Sequence, residues 1–192
     1  MNTGTNTPDT WIPQTAREWH TWLVREEKKT IAAYRDKPSL LIADYHRERA
    51  IARDYEGREI LELLQNANDQ AAERGERGRV LMELSPEGLI FANTGLAFSV
   101  GGVASLQTSH LSPKRRRRQQ LIGNKGLGFR SVLNWSRTPI ILSNALCLAY
   151  STEHAKNKLR TLTDGHPELA RVVSEEQQGG DALILPLLPF PL

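Results

Sequence analysis

Three groups of residues have the types and spacing to do chemistry. The first lies in Glu59–Ala71, which reads as a helix with two opposed faces. Ile60, Leu63, Leu64, Ala67 and Ala71 recur at i, i+3, i+4, i+7 and i+11, a core-facing stripe. Glu62, Asn66 and Asp69 fall together on the other face. Asn66, Asn68 and Asp69 are poor interior helix formers, so helix stability did not select them. A carboxylate one turn from a carboxamide can hold a water beside a hard cation. Glu62 would take a proton and the Asn66 oxygen would ligate Mg²⁺. A polar surface stripe is the alternative, and the helix alone does not separate the two.

The second group is the glycine turn of Ile122–Val132. Gly123, Gly126 and Gly128 let backbone approach a ligand closely. A short helix expected over Phe129–Trp135 would aim free N–H groups and a positive dipole end at that turn, an anion site suited to phosphate. Lys125 adds a point charge from inside the loop. The pattern is neither GxxxxGK[ST] nor a strand-borne GxGxxG, and in most proteins such a turn is only a connection. The third group is Phe91–Phe98. Asn93 followed by Gly95 is a turn pattern, but a carboxamide that both donates and accepts could also read the edge of a base.

Five like charges, Lys114 to Arg118, are most simply a solvated loop. They could also close over a triphosphate or contact a nucleic-acid backbone. No aromatic residue interleaves with them, which argues against a stacking platform for single strands. The histidines lack metal-ligand spacing, and Ser131 has no His and Asp in an elbow pattern.

The elements that must position these groups follow from punctuation and period. With 192 residues the chain fits one domain with a real core, and 39% hydrophobic and 24% charged residues are ordinary for a globular protein. A net charge of +3 leaves the positive charge local rather than global. A lone Cys147 excludes an intramolecular disulfide framework and a cysteine-based zinc site. Its place in the apolar run Ala145–Tyr150 points to a buried, inert thiol. Nothing in the sequence reads as a membrane span or a signal-peptide core, so a cytoplasmic location is expected.

Residues 1–14 read as a disordered tail. Thr15-x-x-Glu18 is a capping box opening a helix to about Arg35, anchored by Trp19, Trp22 and Leu23. Pro38-Ser39 starts a second helix, Leu40 to about Tyr55, and Gly57 separates it from the central helix, which ends near Gly75 and Gly78. Arg79–Leu84 and Leu89–Ala92 form a hairpin about Ser85–Gly88, and Ser99–Leu106 a short helix. A second hairpin joins Thr138–Ser143 to Leu146–Ser151. Glu153–Gln178 is partly helical, with a helix at Pro167–Val173. This order implies an α+β two-layer sandwich with helices on one face of a mixed, mainly antiparallel sheet.

Taken together and in this order, the three groups resemble the ATP-binding domain shared by gyrase, Hsp-ninety chaperones, histidine kinases and MutL, the GHKL or Bergerat fold. Leu-Leu-Gln-Asn-Ala at 63–67 with Gly-x-Lys-Gly-x-Gly-Phe-Arg-Ser-Val at 123–132 is most similar to the sacsin-type, Hsp-ninety-like N-terminal domain. The resemblance runs from about Asp54 to Ser143. It implies Glu62 as general base, Asn66 as Mg²⁺ ligand and Asp69 as a polar contact near the nucleotide. It implies Asn93 as reader of the adenine amino group, where the family usually has Asp, and Gly95 as room for the base. Gly123, Lys125, Gly126, Leu127, Gly128 and Phe129 match the phosphate turn, and residues 98–122 the mobile ATP lid. The family's closing strands are not identifiable after Gly180, as in a domain lacking its last strands or a fragment of a longer protein. Leu183–Leu192 is the apolar stretch that could supply one.

The implied function is weak Mg²⁺-dependent ATP hydrolysis, gated by lid closure and driving conformational change in a larger chaperone-like or defence-related protein. ATP and Mg²⁺ would be the cofactors. Partners would be other domains or subunits, with homodimerisation open and no membrane. The alternatives are a module that binds nucleotide without turnover and a nucleic-acid-binding domain built on the basic run.

Overall fold

The computed structural model describes residues 8–107, 128–180 and 183–192. The Thr15 hydroxyl accepts the Glu18 N–H while the Glu18 carboxylate accepts that of Thr15, closing the expected capping box. Helix α1 runs from this cap, Ala16–Asp36. Pro38 opens α2, Pro38–Asp54, at a position where a missing N–H costs nothing. Helix α3, Glu59–Arg74, stops at Gly75 in the left-handed conformation, φ 73.

Strands β1 (Val80–Ser85) and β2 (Gly88–Asn93) pair antiparallel, Val80 opposite Asn93 and Ser85 opposite Gly88. Helix α4 follows at Val100–Gln107. Phe129–Trp135, expected as a short helix, is 3-10 and spans Gly128–Asn134. Strands β3 (Ile140–Ser143) and β4 (Leu146–Ala149) turn at Asn144, φ 52. The polar stretch beyond holds two helices where one was expected: α5, Thr152–Thr163, capped by Ser151, and α6, Pro167–Gln177.

The fold class is α+β, and among the described residues the strands form two separate two-stranded antiparallel sheets. Two apolar clusters hold the helices. One joins Tyr34, Leu41 and Tyr45 to α5, α6 and Phe190. The other joins Trp19, Trp22 and α4 to the inner face of β3 and β4. Trp19 and Trp22 meet edge to face at 6.0 Å, as the anchor of α1 requires. The β1–β2 hairpin belongs to neither cluster: Leu84 is 80% and Ile90 58% exposed. No helix among the described residues is long and apolar enough to cross a membrane.

Four expectations change. Leu183–Leu192 forms no strand, because Pro186, Pro189 and Pro191 cannot donate to a ladder. It packs instead as an irregular segment, with Ile184, Leu185 and Phe190 in one cluster and Leu188 in the other. Cys147 is exposed. Strand alternation turns Leu146 and Leu148 inward and leaves the residue between them outside. Residues 98–107, expected as the start of a mobile lid, carry α4, whose Val100, Val103 and Leu106 are buried in the core. The stretch before α1 is tied down from Asp9 onward, since Asp9 and Trp11 carbonyls accept the N–H groups of Gly101 and Val100.

Candidate functional site

Helix α3 is the element on which the candidate residues converge, and it is enclosed on more sides than its sequence implies. Ala67 and Ala71 of the expected core stripe are buried, but Leu64 is 41% exposed. Glu59, Glu62 and Asp69, on the polar side, are buried instead. For Glu59 and Glu62 the cause is the 3-10 helix Gly128–Asn134, which packs on that side. The Asn134 amide bridges Ala52 O of α2 at 2.7 Å and Glu59 Oε1 at 3.2 Å. Burial raises the Glu59 pKa, but backbone N–H groups of Glu59 and Gly57 and the Asn134 amide outweigh it and hold the carboxyl below its ordinary range.

The two ends of the site are set by two glycines. A Cβ on Gly128 would fall 2.1 Å from Glu62 Oε2 and 2.9 Å from Glu62 Cβ, so only glycine allows this approach. The other Glu62 oxygen accepts from Arg58 Nη2 at 3.1 Å. Gly95, at φ 155, lies against the later part of α3, where a Cβ would be 2.8 Å from that of Gln70. Arg74 Nη1 fixes the same loop through Gly95 O at 3.2 Å. Asn93, at the end of β2, is exposed and turns its amide onto Thr94 O at 3.1 Å, which leaves Oδ1 as the acceptor. Thr94 closes the loop back on Arg79 through both its N–H and its hydroxyl.

Between these docking points stand Asn66 and Asp69. Asn66 is half-buried, and its side chain makes no hydrogen bond among the described residues. Asp69 is 6% exposed, and its Oδ2 is buried with no partner among them. A buried carboxylate oxygen without a partner is costly, and a water, a ligand or an ion would satisfy it. A carboxylate and a carboxamide three residues apart offer the hard oxygen donors that Mg²⁺ takes from protein when phosphates supply others. The residues therefore fit the metal. No group of three His, Cys, Asp or Glu is gathered among the described residues.

Gly128 is buried, and Phe129 is half-buried against the second apolar cluster, so Phe129 serves packing. Gly123, Lys125, Gly126, Leu127 and the basic run Lys114 to Arg118 lie outside the described residues. A surface hollow of about 320 Å³ beside Trp11 and α1 is lined by none of the candidate residues.

Sequence reasoning missed the buried polar cluster behind the 3-10 helix. Arg130 is fully buried and donates to Leu106 O at 2.8 Å. Glu48 and Asp44 of α2 are buried near it, and the Tyr34 hydroxyl donates to Asp44 Oδ2 at 3.1 Å. The available signal was the interleaving of Asp44 and Glu48 with Leu41, Tyr45 and Ala52 on one face of α2. Comparison with protein-family models, with curated proteins and with solved structures finds no match for this chain.

Proposed function

We propose that this site binds Mg²⁺–ATP and hydrolyses it slowly, as a GHKL-type module. One observation carries the reading. Gly128 and Gly95 dock on one helix at Glu62 and Gln70, and an unpartnered Asp69 oxygen lies between those points. Glu62 and Gln70 are about 12 Å apart along the axis, room for a base at one end and its phosphates at the other. Asn93 Oδ1 accepts from the adenine amino group, and Gly95 leaves space for the ring. Asn66 holds the Mg²⁺ side of the nucleotide, and Asp69, one residue before Gln70, is a polar contact toward the base. Glu62 orients the attacking water and takes its proton. The bound Mg²⁺ supplies charge neutralisation at the phosphates. In this reading the two hairpins belong to one larger sheet, the helices cover one of its faces, and turnover drives conformational change in a larger chaperone-like or defence-related assembly.

Calorimetry with ATP, ADP and GTP in Mg²⁺ tests it. Adenine-specific binding is expected, lost in Asp69→Ala. Glu62→Ala is expected to keep binding and lower turnover by about 10²- to 10⁴-fold. A folded wild type that binds no ATP overturns the proposal. The ion pair of Arg58 with Glu62 favours a second reading, a module that binds without turnover because its base is held. Under that reading, wild type binds ATP without hydrolysing it, and Arg58→Ala, which frees Glu62, gains turnover.

A further inference from the structure

The cluster behind Gly128 links two parts of the chain that are far apart in sequence. Arg130, two residues after Gly128, has no exposed surface. Its guanidinium holds Leu106 O at 2.8 Å, which ties the 3-10 helix to the end of α4. Burial of that cation is offset by the negative charges of Glu48 and Asp44, one turn apart on α2. Glu48 has a second task. Its Oε1 accepts the Leu187 N–H at 2.7 Å and its Oε2 the Leu188 N–H at 3.1 Å.

Those bonds matter because the C-terminal segment has few others. Pro186, Pro189 and Pro191 lack donors. Phe190 N–H turns back on Leu187 O at 3.0 Å, and Leu192 N–H reaches Ala149 O at 2.7 Å. Burial raises the pKa of the Glu48 carboxyl, and the N–H groups of Leu187 and Leu188 oppose that; an ionised carboxylate at 5% exposure also needs a nearby cation. Arg130 supplies it. Leu185 and Phe190 on one side and Leu188 on the other place the segment across both apolar clusters.

We infer that Arg130 and Glu48 are a positioning pair: the seating of residues 183–192 on Glu48 sets Arg130, and through it holds Gly128 against Glu62. The mechanical link stands on the packing of the 3-10 helix against α2, on the opposite charges buried there and on the two N–H bonds to Glu48; its effect on affinity rests on the nucleotide reading of the Glu62–Gly128 site. Where nucleotide binds, linkage is reciprocal: occupancy at Gly128 tightens the C-terminal segment, and loss of that seating weakens binding.

Amide hydrogen exchange on the full chain tests the link, with Ala32→Gly, at an exposed interior position of α1 outside both apolar clusters, as a control that lowers stability away from the pair. Arg130→Met is expected to speed exchange at Leu187 and Leu188 by about tenfold or more beyond the control, and Arg130→Lys, which keeps the charge, to restore most of that protection. Glu48→Gln is expected to speed exchange at residues 129–132 to a similar degree. Equal exchange in Arg130→Met and the stability-matched control overturns the link. In the wild type, saturating Mg²⁺–ATP is expected to slow exchange at Leu187 and Leu188, a readout that survives if the variants fail to fold. ATP that binds without moving those two amides refutes the coupling and leaves the site reading intact. Exchange coupling in a wild type that binds no ATP supports the link and removes the nucleotide reading.

Discussion

Gly128→Ala is the sharpest perturbation of the site, because its cost is steric alone. Gly128 does not have a positive φ, so alanine introduces no backbone strain there. The added Cβ would fall 2.1 Å from Glu62 Oε2 and 2.9 Å from both Cβ and Cδ of Glu62. The carboxylate cannot swing aside freely: it is 9% exposed, and Arg58 holds its other oxygen at 3.1 Å. Overpacking of this kind costs about 1–3 kcal/mol. The loss of glycine entropy in the unfolded chain returns about 0.4–1 kcal/mol. The net loss is then roughly 1.3 kcal/mol at mid-range, a fall in Tm of roughly 3–5 °C for a chain of this length. Urea unfolding of wild type, Gly128→Ala, Glu62→Ala and the double variant measures it. Glu62→Ala removes Oε2 and Cδ but keeps Cβ, so the double variant should recover about 1 kcal/mol of the glycine cost. A Gly128→Ala protein as stable as wild type, or the same cost with and without the Glu62 side chain, refutes the contact.

Other outcomes follow from single observations. Asp69→Asn is expected to abolish Mg²⁺–ATP binding while leaving the stability of the ligand-free protein within about 1 kcal/mol of wild type, because it alters the carboxylate whose Oδ2 is buried with no partner among the described residues; retained binding counts against the assigned role. Burial, with Lys158 nearby, lowers the His154 pKa below its ordinary 6.5, and Glu27 only partly opposes this. The folded state then binds fewer protons than the unfolded chain, so stability present above pH 6.5 is lost as pH falls through the lowered value. His154→Leu should flatten that decline in urea midpoints measured between pH 7.5 and 5.5, and an unchanged slope refutes it. Leu84→Lys, at 80% exposure on β1, should change stability by less than about 0.5 kcal/mol; a loss above about 2 kcal/mol would mean the hairpin is covered.

Local structure was legible wherever a residue acts on its own neighbours. Thr15 and Glu18 close a box, Pro38 and Gly75 bound their helices, and Asn144 turns the second hairpin, because caps and turns satisfy backbone groups within a few residues. The sequence spacing of Glu62, Asn66 and Asp69, and of Asn93 and Gly95, likewise marked the candidate site. Tertiary packing decided the rest. The 3-10 helix buried the polar side of α3 at Glu59 and Glu62 and left Leu64 partly outside, which no periodicity within α3 could reveal. Strand alternation set against one core put Cys147 outside, although its neighbours are apolar. Prolines denied Leu183–Leu192 a ladder and sent two of its N–H groups to Glu48, nearly 140 residues earlier in the chain. Burial and pairing depend on which surface arrives opposite, and that surface comes from elsewhere in the chain. A local pattern can therefore announce a helix and its reactive residues, while only the assembled structure settles which of them lose water and what they meet.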